Sequence, residues 1–282
     1  VVEPDGAYWY VSLIGANRVL KLDRGNRLVA QAEFEVPGML SLDGAGRLWV
    51  GRSMSAVNPP QRIGVIDRGD MTIEEIPVFY PRPHALTAHP SAGLAYSASL
   101  AENSMAVVAA AEGEVEVRAI EPPAGGGAAP VHTVVQFAVS PDGRTLVGTG
   151  EMSGKLLVFD LADPAEPRLL RQVDVGARPW HPVFSPDGAE VWFANKGANT
   201  VTVVETADWT VAAVVEGDGL AEPHGAAISE NGRYVYVSSN DLKDTYPGDG
   251  GTLTVIDRRA REIVKVVRVG ANAAGVGTRA GG

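Results

Sequence analysis

A four-strand plan that returns about every 45 residues constrains this chain more than anything else in it. A turn opens each repeat: EPDG at Glu3, SLDGAG at Ser41, HPSAG at His89, SPDG at Ser140 and Ser185, and SENG at Ser229. The last two intervals are 45 and 44 residues, and the earlier ones run from 38 to 51, the scatter that loop insertions produce in a structural repeat. After each turn comes a β-rich run, as in YWYVSLI at Tyr8–Ile14, VWFAN at Val191–Asn195 and YVYVSSN at Tyr234–Asn240. Aromatic and β-branched residues favour strands, and Gly, Asn and Asp bound them. A second run follows, ending mostly in an acid, such as RIGVID to Asp67, KLLVFD to Asp160 and TLTVID to Asp257. A third alternates apolar with polar residues, as expected of an outer strand with one wet face.

Units of this length, with four strands each, predict an all-β chain: a single-domain β-propeller over residues 1–282, with antiparallel blades around an axial channel. The ends predict its closure. VGANAAGVGTRAGG (Val269–Gly282) aligns without a gap on VGARPWHPVFSPDG (Val175–Gly188), so the C-terminal end supplies a lead-in and one inner strand. The N-terminal end enters at EPDG with the other three strands. The expectation is six blades, with Ala273–Thr278 pairing to Tyr8–Ile14; seven would follow if the natural chain is longer.

Composition narrows the partners. A formal charge of -10 argues against nucleic acid, whose backbone asks for clustered Lys and Arg. No apolar run approaches the ~20 residues of a membrane helix. With no cysteine, disulfides, thiolate zinc sites, iron–sulfur clusters and covalent haem attachment are excluded. There is no P-loop, GxSxG elbow or HExxH, so nucleotide and serine-hydrolase readings lack support.

The repeat resembles that of the YVTN/YncE-like β-propeller family: a Pro-containing lead-in, SPDGxxxYVxN, then an N-x-V-x-V-I-D strand. The matches are SPDG at Ser185–Gly188 with VWFAN and NTVTVVE, SENG at Ser229–Gly232 with YVYVSSN and TLTVID, and EPDG at Glu3–Gly6 with YWYVS and NRVLKLD. The resemblance covers nearly the whole chain and implies a periplasmic or extracellular protein whose signal segment precedes Val1. Relatives implied by it include carbohydrate lactonases, haem d1 and copper-bearing propellers, and binding proteins without assigned chemistry.

In a propeller blade, the loop entering the innermost strand and the hairpin joining the next two lie on one face. The entry segments carry His84 (RPHALTAH), His132 (APVHTVVQ), His181 (RPWHPVF) and His224 (EPHGAAI), on four consecutive blades, whereas His89 falls in a turn at the opposite end. Imidazole suits copper, zinc, iron and nickel, so these four residues are candidate ligands for a transition metal or haem. The alternative is a packing role, each imidazole bonded to a backbone carbonyl. Arg82, Arg178 and Trp180 stand beside them as candidates for holding an anionic or aromatic small molecule. Asp241, Asp244 and Asp249 form an acidic loop that offers oxygen ligands for calcium, without the EF-hand order. The expected function is a ligand-binding or protein-interaction module working through the histidine-bearing face, either alone or as a subunit of a larger extracytoplasmic complex. A metal- or haem-dependent redox or hydrolytic enzyme is the alternative.

Overall fold

A computed structural model describes residues 1–109, 113–120, 131–241 and 250–279. It is an all-β ring of six antiparallel blades, with one 3-10 turn as its only helical element among the described residues. The first blade holds β1 (Tyr8–Leu13), β2 (Arg18–Asp23) and β3 (Leu28–Glu33). The second holds β4 (Pro37–Leu42), β5 (Arg47–Arg52), β6 (Arg62–Asp67) and β7 (Ile73–Pro77). The third runs β8 (Pro83–Ala88), β9 (Leu94–Ser99), β10 (Ser104–Ala109) and β11 (Glu114–Ala119), and the fourth β12 (Val134–Val139), β13 (Thr145–Gly150), β14 (Lys155–Asp160) and β15 (Arg168–Asp174). The fifth comprises β16 (Val183–Phe184), β17 (Glu190–Asn195), β18 (Thr200–Glu205) and β19 (Thr210–Val215). The sixth comprises β20 (Pro223–Ile228), β21 (Tyr234–Ser239), β22 (Thr252–Asp257) and β23 (Glu262–Arg268).

Burial follows the order of strands in a blade. In the second to fifth blades the two middle strands are almost wholly buried, with Trp49, Tyr96 and Trp192 at zero exposure, and they form the cores between neighbouring blades. The outer strands β15 and β23 alternate between exposed and half-buried residues, as their sequence predicts. At the axis, the Gln136 side-chain amide accepts from the Leu86 N–H and donates to the Leu86 carbonyl, both at 2.9 Å, and so links β12 to β8. Close approach at the next seam depends on a missing side chain. A Cβ on Gly51 would lie 2.7 Å from the His84 carbonyl oxygen and 3.4 Å from Leu86 Cβ. Gly51→Ala is therefore expected to force β5 away from β8 and to cost about 1–3 kcal/mol in chemical denaturation; an unchanged midpoint would show that the seam can give way.

One backbone device recurs at the entrance to the inner strands. Val36, Arg82, Thr133, Arg178 and Glu222 all have positive φ, between 42° and 55°, and four of them precede proline. Such a conformation costs a non-glycine residue on the order of 1–2 kcal/mol. In return each carbonyl accepts the N–H of the residue directly after the adjacent strand: Ser53, Leu100, Glu151, Lys196 and Asn240, at 2.8 to 3.1 Å. This clasp fixes where each inner strand begins relative to the hairpin beside it.

The closing strand departs from expectation. Asn272 takes the same left-handed conformation as its aligned partner Arg178, but the 273–278 segment forms no strand and no ladder with β1. Backbone bonds from Val1 and Glu3 to Tyr10 and Tyr8 occupy the inner edge of β1 instead. The C-terminal segment lies along the sixth blade, where Ala273 O accepts from Asn240 Nδ2 at 3.0 Å and Thr278 Oγ1 donates to Ile228 O at 2.5 Å. With Gly275 and Gly277 in its middle, the segment has few side chains with which to hold a strand in register.

Candidate functional site

The clasps place the lead-in side chains at one end of the channel, here called the entry face; the SPDG-type turns form the turn face. His84 sits second in β8 and is 6% exposed. In the fifth blade the inner strand is broken. Pro179 bridges Asn195, regular pairing resumes only at Val183, and the interrupted stretch turns Trp180 and His181 inward. His224 sits second in β20.

Three rings meet there. The Trp180 and His224 centroids are 4.0 Å apart, those of His181 and His224 are 4.8 Å apart and nearly perpendicular, and those of Trp180 and His181 are 5.6 Å apart. His84 is near enough to act electrostatically on both other histidines. Burial lowers the His84 pKa to about 4, against the pull of the Arg52 carbonyl that its ring contacts. Burial, with positive charge on His84 and Lys196 adding to it, lowers His181 to about 3. His224 is lowered further by burial, then by His181 and Lys196. All three rings are neutral at neutral pH.

His132 has different partners: its Nδ1 is 2.9 Å from Ser153 Oγ, and its N–H donates to Asn103 Oδ1. His89 lies in a turn, where its Nε2 meets the Gly143 carbonyl and its Nδ1 accepts from two backbone N–H groups.

The two arginines expected to grip a ligand are engaged with the protein. Arg82 Nη2 donates to the Met54 carbonyl at 3.0 Å, and Arg178 Nε donates to Glu151 at 2.7 Å. Trp180 is 2% exposed and lies beneath Lys196, whose Nζ is 4.4 Å from the indole centroid and 2.8 Å from Asn240 Oδ1. Burial lowers the Lys196 pKa, and Arg178 lowers it further, while Glu222 and Glu151 oppose that shift.

Glu151, Lys196 and Asn240 belong to the site although sequence reasoning passed over them. Each is the residue directly after the second strand of its blade, received by the clasp, and a comparison of that one position along the repeat would have found them. Met54, from the hairpin after β5, reaches the Trp180 cluster and packs against it.

Several buried polar atoms at this mouth have no partner: Arg82 Nε, His84 Nε2, Trp180 Nε1, His181 Nε2 and His224 Nδ1. Around it, the entry face carries exposed apolar side chains. Val57 is 92% exposed, Met152 71% and Phe79 69%, joined by Leu13, Ile14 and Val131. The remaining exposed large apolar residues among those described lie on outer strands, and none is on the turn face. The turn face instead has open clefts between blades, rimmed by ion pairs such as Arg258–Asp187 and Arg261–Glu190.

Among the described residues, no group of three or more His, Asp or Glu side chains is placed to hold an ion. Of the acidic loop, Asp244 and Asp249 lie outside the described residues. No helix among the described residues is long and apolar enough to cross a membrane.

Neither a family model nor a curated protein sequence matches the chain. Solved structures do. Hydrazine synthase of Kuenenia stuttgartiensis superposes with a TM-score of 0.72 at 20% identity, covering 98% of this chain and 87% of that one. The Cps50 (Swd1) β-propeller domain of Myceliophteria thermophila gives 0.78 at 12% identity, covering 99% and 88%. A functionally unknown protein from Desulfotomaculum acetoxidans gives 0.75 at 16%, covering 98% and 86%. At these identities the likeness is one of fold alone.

Proposed function

We propose that this chain is an extracytoplasmic docking propeller of the YVTN/YncE-like kind that receives a protein partner on its entry face. The observation that carries this reading is the one-sided placement of exposed apolar side chains, with Leu13, Ile14, Val57, Phe79, Val131 and Met152 on the entry face and none on the turn face among the described residues. Exposed apolar patches rimmed by polar groups mark interaction sites, and the buried centre of an interface is its most apolar part. The extracytoplasmic setting and the family kinship rest on the repeat residues.

Selection of a displayed random-peptide library on the immobilised protein tests the reading. Selected peptides are expected to lose at least about tenfold in affinity with the double change Phe79→Asp and Met152→Asp, equivalent to ~1.4 kcal/mol. They should keep full affinity with Arg259→Glu, which alters an exposed residue of the turn face. Peptides indifferent to the entry-face changes would sink it.

A further inference from the structure

Every blade but the first places a valine at the fourth position of the strand before its outer one: Val65, Val107, Val158, Val203 and Val255. In the first blade that position holds Lys21, directly across from Tyr10 in the β1–β2 ladder. The lysine is 8% exposed, as buried as Val65. Its Nζ donates to the Arg68 carbonyl and lies 4.4 Å from the Tyr8 ring centroid and 5.9 Å from that of Tyr10. No acidic side chain among the described residues pairs with it. An ammonium carries three N–H donors, and the one carbonyl meets one of them. Burying a charge is costly unless it is paired, so stability alone favours valine here as in the other blades.

Lys21 lines a cleft of about 570 Å³ on the turn face, between the first two blades. Arg68 lines it too, and its guanidinium is held loosely. Nη1 is 3.5 Å from Glu3 and Nη2 is 3.4 Å from the Asp43 carbonyl, both longer than the about 2.7–2.9 Å of a strong charged bond. Arg68 Nε has no partner, whereas Arg24 and Arg258, at the same place after their strands, donate from Nε to the Gly6 and Gly232 carbonyls. The acids of the cleft have partners of their own. Glu3 accepts from the Tyr10 hydroxyl at 2.6 Å, and Asp5 and Asp67 accept from the N–H groups of Ala7 and Gly69 in their own turns.

Lys21 and Arg68 set against Glu3 leave one positive charge in the cleft, with Asp5 and Asp67 negative and exposed around it. A cationic ligand would meet two cations, and a dianion such as phosphate would be repelled by both aspartates. A monocarboxylate brings a single charge and two acceptor oxygens, one for an ammonium and one for a guanidinium. Tyr8 and Pro4 offer its carbon chain an apolar wall. We infer that the cleft between the first two blades is a binding site for a small monocarboxylate, held by Lys21 and Arg68. The site lies on the face opposite the docking rim and does not depend on that reading.

Butyrate is the probe, compared with butyramide and inorganic phosphate at constant ionic strength, with proton–nitrogen NMR of the Lys21 ammonium and the Arg68 Nε as the readout. Butyrate is expected to shift both signals along one saturable curve. Butyramide has the same shape without the charge and should shift neither, and phosphate should bind more weakly than butyrate. Lys21→Val installs the residue of the other five blades, so it should fold with an unchanged circular dichroism spectrum while the Arg68 response disappears. Arg68→Gln, read at the Lys21 ammonium, should weaken butyrate by at least about tenfold. If neither variant folds, the contrast between butyrate and butyramide on the unaltered protein still decides the matter.

No saturable shift with butyrate, an equal response to butyramide, tighter binding of phosphate than of butyrate, or an Arg68 response that survives Lys21→Val would each overturn the inference. Lys21 would then be a packing residue whose charge is answered by the Arg68 carbonyl and the Tyr8 ring alone. The double change Phe79→Asp and Met152→Asp, on the other face, should leave butyrate affinity as it is.

Discussion

Between pH 7 and pH 5 the protein is expected to lose about 5 kcal/mol of folding stability, roughly 1.8 for each of three buried histidines. His84 and His181 have folded pKa values of about 4 and 3, and His224 is shifted the same way. In the unfolded chain each returns to about 6.5. Below that value the unfolded state binds protons that the folded state refuses, so stability falls as pH falls. The slope approaches about 1.4 kcal/mol per pH unit for each ring, and the loss is complete for His84 only once pH drops through its folded value. Carboxylates such as Asp187, held low by its bond from Arg258, add their own loss only below about pH 4. Urea titrations followed by tryptophan fluorescence at half-unit steps would measure the slope, and His84→Gln should flatten it by one proton. A stability that does not change from pH 7 to pH 5 would mean that the three rings are hydrated or charged in the folded protein.

Replacing Arg52 by alanine is expected to cost about 3–5 kcal/mol. Its side chain is 1% exposed and stacks with its guanidinium carbon 3.7 Å from the Phe34 ring centroid. It donates to the Glu35 carbonyl at 2.5 Å, the Arg62 carbonyl at 2.9 Å and the Glu75 carboxylate at 2.6 Å. Removal leaves two carbonyls and a carboxylate without their donor and opens a void beside Phe34. Burial lowers the arginine's pKa and the Arg62 charge adds to that shift, while the Glu75 and Glu35 charges oppose it. Glu75, whose side chain is 37% exposed, can turn to water, and Glu75→Gln should cost about 1 kcal/mol or less. Equal losses in the two variants would show that the ion pair, rather than the buried guanidinium and its carbonyl bonds, carries the effect.

The blades were legible because their signal is repeated and local. SPDG-type turns, alternating outer strands and the acid that mostly ends the strand before the outer one recur often enough to place every blade, and the structure follows them closely. The mouth was legible only in part. Sequence order put His84, His181 and His224 on one face, since topology alone decides which end of a strand a lead-in occupies. It could not show that Arg82 and Arg178 are bonded to Met54 and Glu151, because those contacts join blades across 28 and 27 residues of chain. The closing strand was misjudged for a related reason. Alignment compares residues one by one, whereas the edge of β1 takes whichever backbone reaches it, and Val1–Glu3 reaches it.

The left-handed residue at each entrance has a consequence for how such a face can change. Its contribution to the fold is a carbonyl, supplied equally by valine, arginine, threonine and glutamate at Val36, Arg82, Thr133, Arg178 and Glu222. Shape at these points is written in the main chain, and the side chain is left to make contacts that differ from blade to blade, as Arg82 does with the Met54 carbonyl and Arg178 with Glu151. The ring around the channel is thus a set of interchangeable letters on a fixed frame, and one propeller can acquire a new specificity there without relearning how to fold.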